Sequence, residues 1–322
     1  MVRETVREMV REFTKTEKKN MTSTVGVIGL GIMGSAMSEN LLKAEFQVIG
    51  FDIDAARRDA FQAKGGVLGG SPADVARRTE RIILSLPSVA AFDQVVSGDN
   101  GLTSAAYEGL IVIEAGTLPI NVKERGRDAL AATGAVMLDC PLSGTGAQAV
   151  TRDLAVYASG NEAAYQNCVE IFEGFARAHY HVGPFGNGSK MKFVANHLVA
   201  IHNVAAAEAM VLGMKAGLDA ELIYKVIGDG AGSSRMFEVR GPMMVADDYS
   251  EATMKVEVWQ KDMSIIGEFA GNLNCPAPLF AASGQIYNAA MAQGHARDDT
   301  ASVCAVIQDM ARLDRGACLD KG

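Results

Sequence analysis

The stretch VGVIGLGIMG places Gly29, Gly31 and Gly34 in G-x-G-x-x-G spacing, directly after a β-branched apolar run and at the start of a helical one. In that setting the first glycine permits a tight turn, the second lets backbone approach a pyrophosphate, and the third lets helix pack closely on strand. Leu30, Ile32 and Met33 complete the turn, and the head of the following helix supplies N–H groups and positive dipole for phosphates. Asp52 ends the next predicted strand, eighteen residues after Gly34, where a carboxylate accepts from a ribose 2′-hydroxyl and repels a 2′-phosphate. Ile53 rather than Arg follows it, so the predicted cofactor is NAD, with NADP the less favoured alternative. Arg57 and Arg58 read as surface residues of the next helix.

Such a turn needs a parallel sheet behind it. From Thr24 the chain alternates candidate strands (25–28, 47–51, 81–86, 110–114, 136–139, 155–158 and 178–182) with Ala-rich amphipathic stretches at 34–44, 54–64, 89–96, 119–132 and 161–173. Alternation at this spacing predicts an α/β fold, a Rossmann-type doubly wound parallel sheet covered on both faces. After Gly188 the β-branched runs give out, and one long helix from Ser189 to about Ala216 leads into further helical stretches. The expected organisation is a 1–20 extension, a dinucleotide-binding domain over 21–185 and an all-helical domain over 186–322.

Composition narrows the classes. The 322 residues are 48% hydrophobic and carry 30 basic against 38 acidic residues, a net charge of −8. That sign argues against nucleic acid as a partner. Five cysteines, an odd number without C-x-x-C, predict neither a disulfide framework nor a zinc site, a pattern expected of the cytoplasm. No uninterrupted apolar run approaches the roughly 20 residues of a bilayer span, so no membrane association is expected. Residues 1–20 carry six Lys/Arg and four Glu and read as a solvated extension outside the fold.

Four stretches in order, GLGIMG (29–34), DCPLSGTGAQA (139–149), GNGSKMKFVAN (186–196) and WQKDM (259–263), resemble the β-hydroxyacid dehydrogenase family. The resemblance implies a nicotinamide cofactor, a helical domain that builds a homodimer or homotetramer, and a small carboxylate substrate. It also implies a general acid/base lysine in G-x-G-x-x-x-K-x-x-x-N, which here runs from Gly186 and Gly188 to Lys192 and Asn196. Lys190 competes, but Lys192 and Asn196 are four apart and share a helix face, whereas Lys190 and Asn196 do not. Oxidising an alcohol by hydride transfer needs a base for the hydroxyl proton, and a lysine serves if its pKa falls from about 10.4 towards about 8.

The same resemblance assigns Ser143 and Gly144, with Thr145 where the family has Gly, to a clamp for the substrate carboxylate. The β-branched Thr145 and the Arg152-Asp153 pair depart from the family pattern and imply a changed pocket, with the Thr145 N–H still available. Leu86 and Pro87 look like the family's nucleotide-contacting pair, Thr117 like its hydroxyl beside the nicotinamide ribose, and Lys261 like its cofactor contact from the helical domain, with Asp262 orienting the site. AGSSRMFEVR (231–240) is similar to the threonate branch and makes Arg240 a candidate second substrate contact, or else an interdomain salt bridge.

The function so implied is interconversion of a small 3-hydroxy acid and its oxo or semialdehyde form. Alternatives are an NADPH-dependent reductase of small semialdehydes (tartronate, succinic semialdehyde, glyoxylate), a non-catalytic NAD-binding module, and a serine acyl enzyme using Ser189-x-x-Lys192. The last lacks its partner motifs S-D-N and K-T-G. His179-x-His181 has no carboxylate cluster beside it, and no metal site is expected.

Overall fold

Within each short apolar run successive side chains alternate between the two faces of a sheet, and both faces are buried. The computed structural model describes residues 24–314; the anticipated 1–20 extension and Cys318 lie outside the described residues. Six strands, β1 (Thr24–Ile28), β2 (Gln47–Phe51), β3 (Val67–Leu68), β4 (Arg81–Leu84), β5 (Ile111–Glu114) and β6 (Val136–Asp139), form one sheet in the order β3-β2-β1-β4-β5-β6. Every pair is parallel. Val25, Val27, Ile83, Ile113 and Leu138 face one core, while Ile28, Ile82, Leu84, Val112 and Met137 face the other.

Eight helices flank these strands: α1 (Ile32–Lys43), α2 (Ala55–Ala63), α3 (Pro72–Arg78), α4 (Val89–Ser97), α5 (Ile120–Ala131), α6 (Gly146–Val150), α7 (Glu162–Gln166) and α8 (Val169–Phe175). Met37 and Leu41 of α1 join the first core; Phe92 of α4 and Leu130 of α5 join the second. Ser71, Ser88 and Asn161 cap α3, α4 and α7 with side-chain oxygens, which fixes where those helices start.

Two of the expected strands leave the main sheet. β7 (Leu142–Ser143), β8 (Ala155–Ala158) and β9 (Ala178–His181) form a separate three-stranded sheet in which β7 pairs antiparallel with β8, and β8 parallel with β9. The turn through Pro141 and the short β7 reverse the chain after β6, so a seventh parallel strand does not add to the β6 edge. On β9, His179 and His181 both pack against Tyr165, whose hydroxyl lies 2.7 Å from His179 Nδ1.

By its internal contacts the chain divides between Ser189 and Lys190 into two compact units. The break falls inside α9 (Asn187–Lys215), which starts in the first unit. The second unit is helical, with α10 (Ala220–Gly228), α11 (Arg235–Ala246), α12 (Val256–Asn272), α13 (Pro278–Ala292) and α14 (Val303–Met310). By length and composition α9 could cross a membrane. Its side chains serve the helical unit instead: Asn203 Nδ2 donates to Tyr287 Oη at 3.0 Å and to the Thr300 carbonyl at 2.8 Å.

Candidate active site

The strand order reverses between β1 and β4, the place where open α/β sheets bind ligands beyond the carboxyl ends of their strands. The glycine turn lies there. A Cβ on Gly34 would stand 1.8 Å from the Gly29 carbonyl oxygen, and one on Gly29, itself at φ +93°, would stand 2.2 Å from that of Ser85. A Cβ on Gly31 would meet only Arg57 Nη1, at 3.6 Å, so the middle of the turn is open while its two ends are closed. Gly31 caps α1 without a side-chain hydrogen bond, leaving the first-turn N–H groups with Ile32 and Met33 at the helix head. The turn therefore fits a dinucleotide diphosphate.

Asp52 sits just beyond β2 and is buried. Its Oδ2 accepts from Leu30 N–H at 2.7 Å and its Oδ1 from Asp54 N–H at 2.9 Å, so the carboxylate braces the glycine turn from behind. Arg57 Nη1 stands 3.6 Å from Oδ2, and Arg58 donates to the carbonyls of Asp52 and Ile53. Leu86 follows β4 beside Gly29, its carbonyl lies 3.4 Å from the Cβ position of Gly116, and Pro87 is exposed next to it. Gly116 and the partly buried Thr117 follow β5, so the ends of β1, β4 and β5 bring three of the expected cofactor loops together.

Ser143 ends β7 and Gly144 follows at φ +137°, where a Cβ would meet Leu154 Cδ2 at 2.6 Å. Only glycine fits that conformation and that space. Thr145 departs from the expectation. It caps α6 in a capping box: its N–H donates to Gln148 Oε1 at 3.0 Å, and its hydroxyl accepts from Gln148 N–H. The Thr145 N–H is thus already used and is not available to a carboxylate. With φ −92° the β-branched residue is unstrained.

Gln148 Nε2 in turn donates to Asp153 Oδ2 at 2.9 Å, and Arg177 Nε donates to Asp153 Oδ1 at 2.8 Å. The two departures from the family pattern, Thr145 and Asp153, are therefore joined in one hydrogen-bonded chain that fixes the clamp loop. Gln148→Ala, which removes the side-chain bonds to Thr145 and Asp153, is expected to cost about 1 kcal/mol, lowering Tm by about 2 °C at this chain length. A thermal melt of the variant checks it.

In the second unit, Lys192 is partly buried and Lys190 is exposed. Burial pulls the Lys192 ammonium down to about 8; Asp262 opposes that fall and Lys261 adds to it. Asn196 Nδ2 donates to the buried Asp262 Oδ2 at 2.9 Å, and Lys261 Nζ lies 3.3 Å from Asp262 Oδ1. Lys192, Asn196, Lys261 and Asp262 thus form one group in which the asparagine amide is oriented by a charged acceptor.

Arg240 is not part of that group. It is 2% exposed, its Nε donates to Asp299 Oδ1 at 3.1 Å and its Nη1 contacts Met236 Sδ, all within the helical unit. Burial alone would raise the Asp299 carboxyl; Arg240 and the N–H groups of Ala301 and Met254 outweigh it and hold the group low. Arg240 thus makes its ion pair with Asp299 inside the helical unit, and its loss would leave a buried charge unpaired. Ser189 is likewise committed: its hydroxyl donates to Asp139 Oδ1 at 2.8 Å, which removes it as an acyl-transfer nucleophile.

Sequence reading gave no role to Glu114, Lys123 or Asp139, which are 0% exposed, with Lys123 paired to both acids. The signal was present in the strand pattern. β5 ends in Glu and β6 in Asp, register partners in adjacent parallel strands, and two acids side by side in a core require a cation.

Two family models match the chain, the NAD binding domain of 6-phosphogluconate dehydrogenase over residues 24–183 and the NAD-binding domain of NADP-dependent 3-hydroxyisobutyrate dehydrogenase over 186–307. L-threonate dehydrogenase of Cupriavidus necator is 34% identical over 288 residues, covering 89% of this chain and 97% of its own. The chain belongs to the β-hydroxyacid dehydrogenase family. A further member, 2-(hydroxymethyl)glutarate dehydrogenase of Eubacterium barkeri, is 29% identical over 89% of this chain and 95% of its own. The solved structure of 3-hydroxyisobutyrate dehydrogenase from Salmonella typhimurium superposes with a TM-score of 0.80 at 28% identity, covering 88% of this chain and 99% of that one. As a β-hydroxyacid dehydrogenase the protein is an oxidoreductase that acts on the CH–OH group of a small hydroxy acid with a nicotinamide cofactor.

Proposed function

We propose that this β-hydroxyacid dehydrogenase oxidises a small 3-hydroxy acid of the hydroxyisobutyrate or sugar-acid type, with NAD as hydride acceptor and Lys192 as general acid/base. The observation that carries the reading is a partly buried lysine brought down to about 8 and set beside Asn196 and Asp262. The nicotinamide, when bound, accepts or returns the hydride. Ser143 and the Gly144 backbone hold the substrate carboxylate, Asn196 orients the hydroxyl, and Lys192 Nζ takes its proton. In the reverse direction the ammonium returns that proton to the carbonyl oxygen.

Gly29, Leu30, Gly31, Ile32, Met33 and Gly34 bind the diphosphate, Leu86, Pro87 and Thr117 line the nucleotide side, and Lys261 contacts the cofactor. Asp52 favours NAD. The alternative, an NADPH-dependent semialdehyde reductase, draws support from Arg57, whose guanidinium stands 3.6 Å from the Asp52 carboxylate. Comparing kcat/KM for NAD and NADP against threonate, 3-hydroxyisobutyrate and glycerate and their semialdehydes decides between them; tenfold preference for NADP would overturn the NAD assignment.

The direction of the Lys192 shift fixes a pH dependence. Oxidation needs the neutral amine, so kcat/KM for the hydroxy acid rises about tenfold per pH unit below about 8 and levels off above it. Reduction needs the ammonium and falls above the same midpoint. Profiles recorded in both directions check this, and a shared flat profile would remove Lys192 from the proton transfer.

The reading also takes 21–185 as the NAD-binding domain, 186–322 as the substrate and dimerisation domain, 1–20 as an extension outside both, and the cytoplasm as the site of action. Association as a homodimer or homotetramer through the helical domain is supported by exposed Leu212, Leu218, Leu222 and Val226.

A further inference from the structure

Lys123 Nζ has three oxygen neighbours: the Gly116 carbonyl at 2.7 Å, Asp139 Oδ1 at 2.8 Å and Glu114 Oε2 at 2.5 Å. Glu114 Oε1 accepts from Gly116 N–H at 2.8 Å. Both backbone groups of the residue before Thr117 are therefore held by the same pair of charges. Asp139 extends the cluster in another direction. Its Oδ2 accepts from Ser189 N–H at 2.8 Å and its Oδ1 from Ser189 Oγ at 2.8 Å, while Ser159 Oγ accepts from Gly188 N–H at 2.9 Å.

The first turn of α9 is thus capped by a carboxylate from the end of β6, a favourable placement of negative charge at a helix N-terminus. Three residues beyond Ser189 on the same helix comes Lys192. Four residues beyond Asp139 on the same segment comes Ser143.

Charge clusters of this kind are a poor way to gain stability. Desolvating one cation and two carboxylates costs more than apolar side chains of the same volume would, and packed hydrophobic replacements are often neutral or stabilising. What the cluster supplies that an apolar core cannot is fixed bond lengths between backbone segments far apart in sequence. We propose that Lys123 and Asp139 are positioning residues for the dehydrogenase reaction. Their cluster holds together the Gly116–Thr117 loop, the strand end leading into Ser143 and Gly144, and the first turn of the helix that carries Lys192.

This inference rests on the roles proposed above for Lys192 and Ser143. It concerns residues that touch neither substrate nor cofactor and act through those that do.

Two variants test it in the full-length protein. Ser189→Ala removes the hydroxyl bond to Asp139 and keeps the one from the Ser189 N–H. The triple variant Glu114→Gln, Lys123→Met, Asp139→Asn neutralises the cluster at nearly constant shape. For both, the expected results are amide hydrogen exchange at least tenfold faster over residues 187–192 and a kcat at least tenfold lower, measured on the hydroxy acid that the wild-type enzyme oxidises best. The pH midpoint near 8 is expected to stay in place, because the surroundings of Lys192 itself are unchanged.

A purely structural role would lower Tm and leave kcat and the exchange of 187–192 within twofold of wild type, and that result in both variants overturns the proposal. Lys192→Ala is assayed in parallel. If it retains turnover, the acid/base assignment beneath fails; if it is inactive while the cluster variants match wild type, only the positioning role fails.

Discussion

Lys192→Ala is expected to lower kcat by about 10²- to 10⁴-fold, the range that a positioned acid/base group supplies, while NAD binding stays within about threefold of wild type. The asymmetry follows from placement. The groups assigned to the diphosphate lie in the glycine turn and the strand ends of the first unit, whereas Lys192 belongs to the second and is grouped with Asn196 and Asp262. Removing its Nζ deletes the proton acceptor without touching the turn. Titration with NAD in the absence of substrate, beside steady-state turnover, separates the two effects. Lys192→Ala with normal kcat would return the role to Lys190 or to no lysine at all.

Gly34→Ala is expected to be the most damaging single methyl in the first unit. The added carbon would stand 1.8 Å from the Gly29 carbonyl oxygen, a contact with backbone that no rotamer change relieves, so α1 must retreat from the turn by more than an ångström. Overpacking of this kind costs about 3 kcal/mol, the upper end of the usual range. NAD binding falls with it, because the head of α1 moves away from the phosphates. Gly31→Ala is the discriminating control. Its Cβ meets only Arg57 Nη1 at 3.6 Å, so the fold tolerates it while ligand approach is narrowed. Normal Tm with weakened NAD binding in Gly31→Ala marks a phosphate turn; unchanged binding would mark a turn that serves packing alone.

Much of the architecture is legible in the sequence because one physical signal carries it. β-branched runs alternating with Ala-rich stretches predict all six of the longer strands between Thr24 and Ala158, and β9 as well. The two-residue strands β3 and β7 escape because two residues hold no periodicity. The site is legible unevenly. Glycines and the Lys192–Asn196 spacing are local patterns, whereas Lys123 sits on a helix where a lysine reads as a solvated face, and its partners come from 16 residues away in Asp139 and 7 in Gly116.

Thr145 shows a different failure. T-x-x-Q ahead of a helix is a capping signature, and it gives Thr145 a local role that has nothing to do with the glycine the family carries there. For Arg240 the sequence offers two readings, a substrate contact or a salt bridge, and its partner Asp299 lies 59 residues further on, where no local pattern points to it.

The capping of α9 by Asp139 bears on how the chain is made. Asp139 and Ser189 are 50 residues apart, and until Ser189 has been synthesised the carboxylate end of β6 lacks two of its donors. Matching to the first family model stops at residue 183, with the sheet strands already complete. On a ribosome, however, the buried Asp139 gains those two partners only once the opening turn of α9 has emerged, 50 residues after the carboxylate itself.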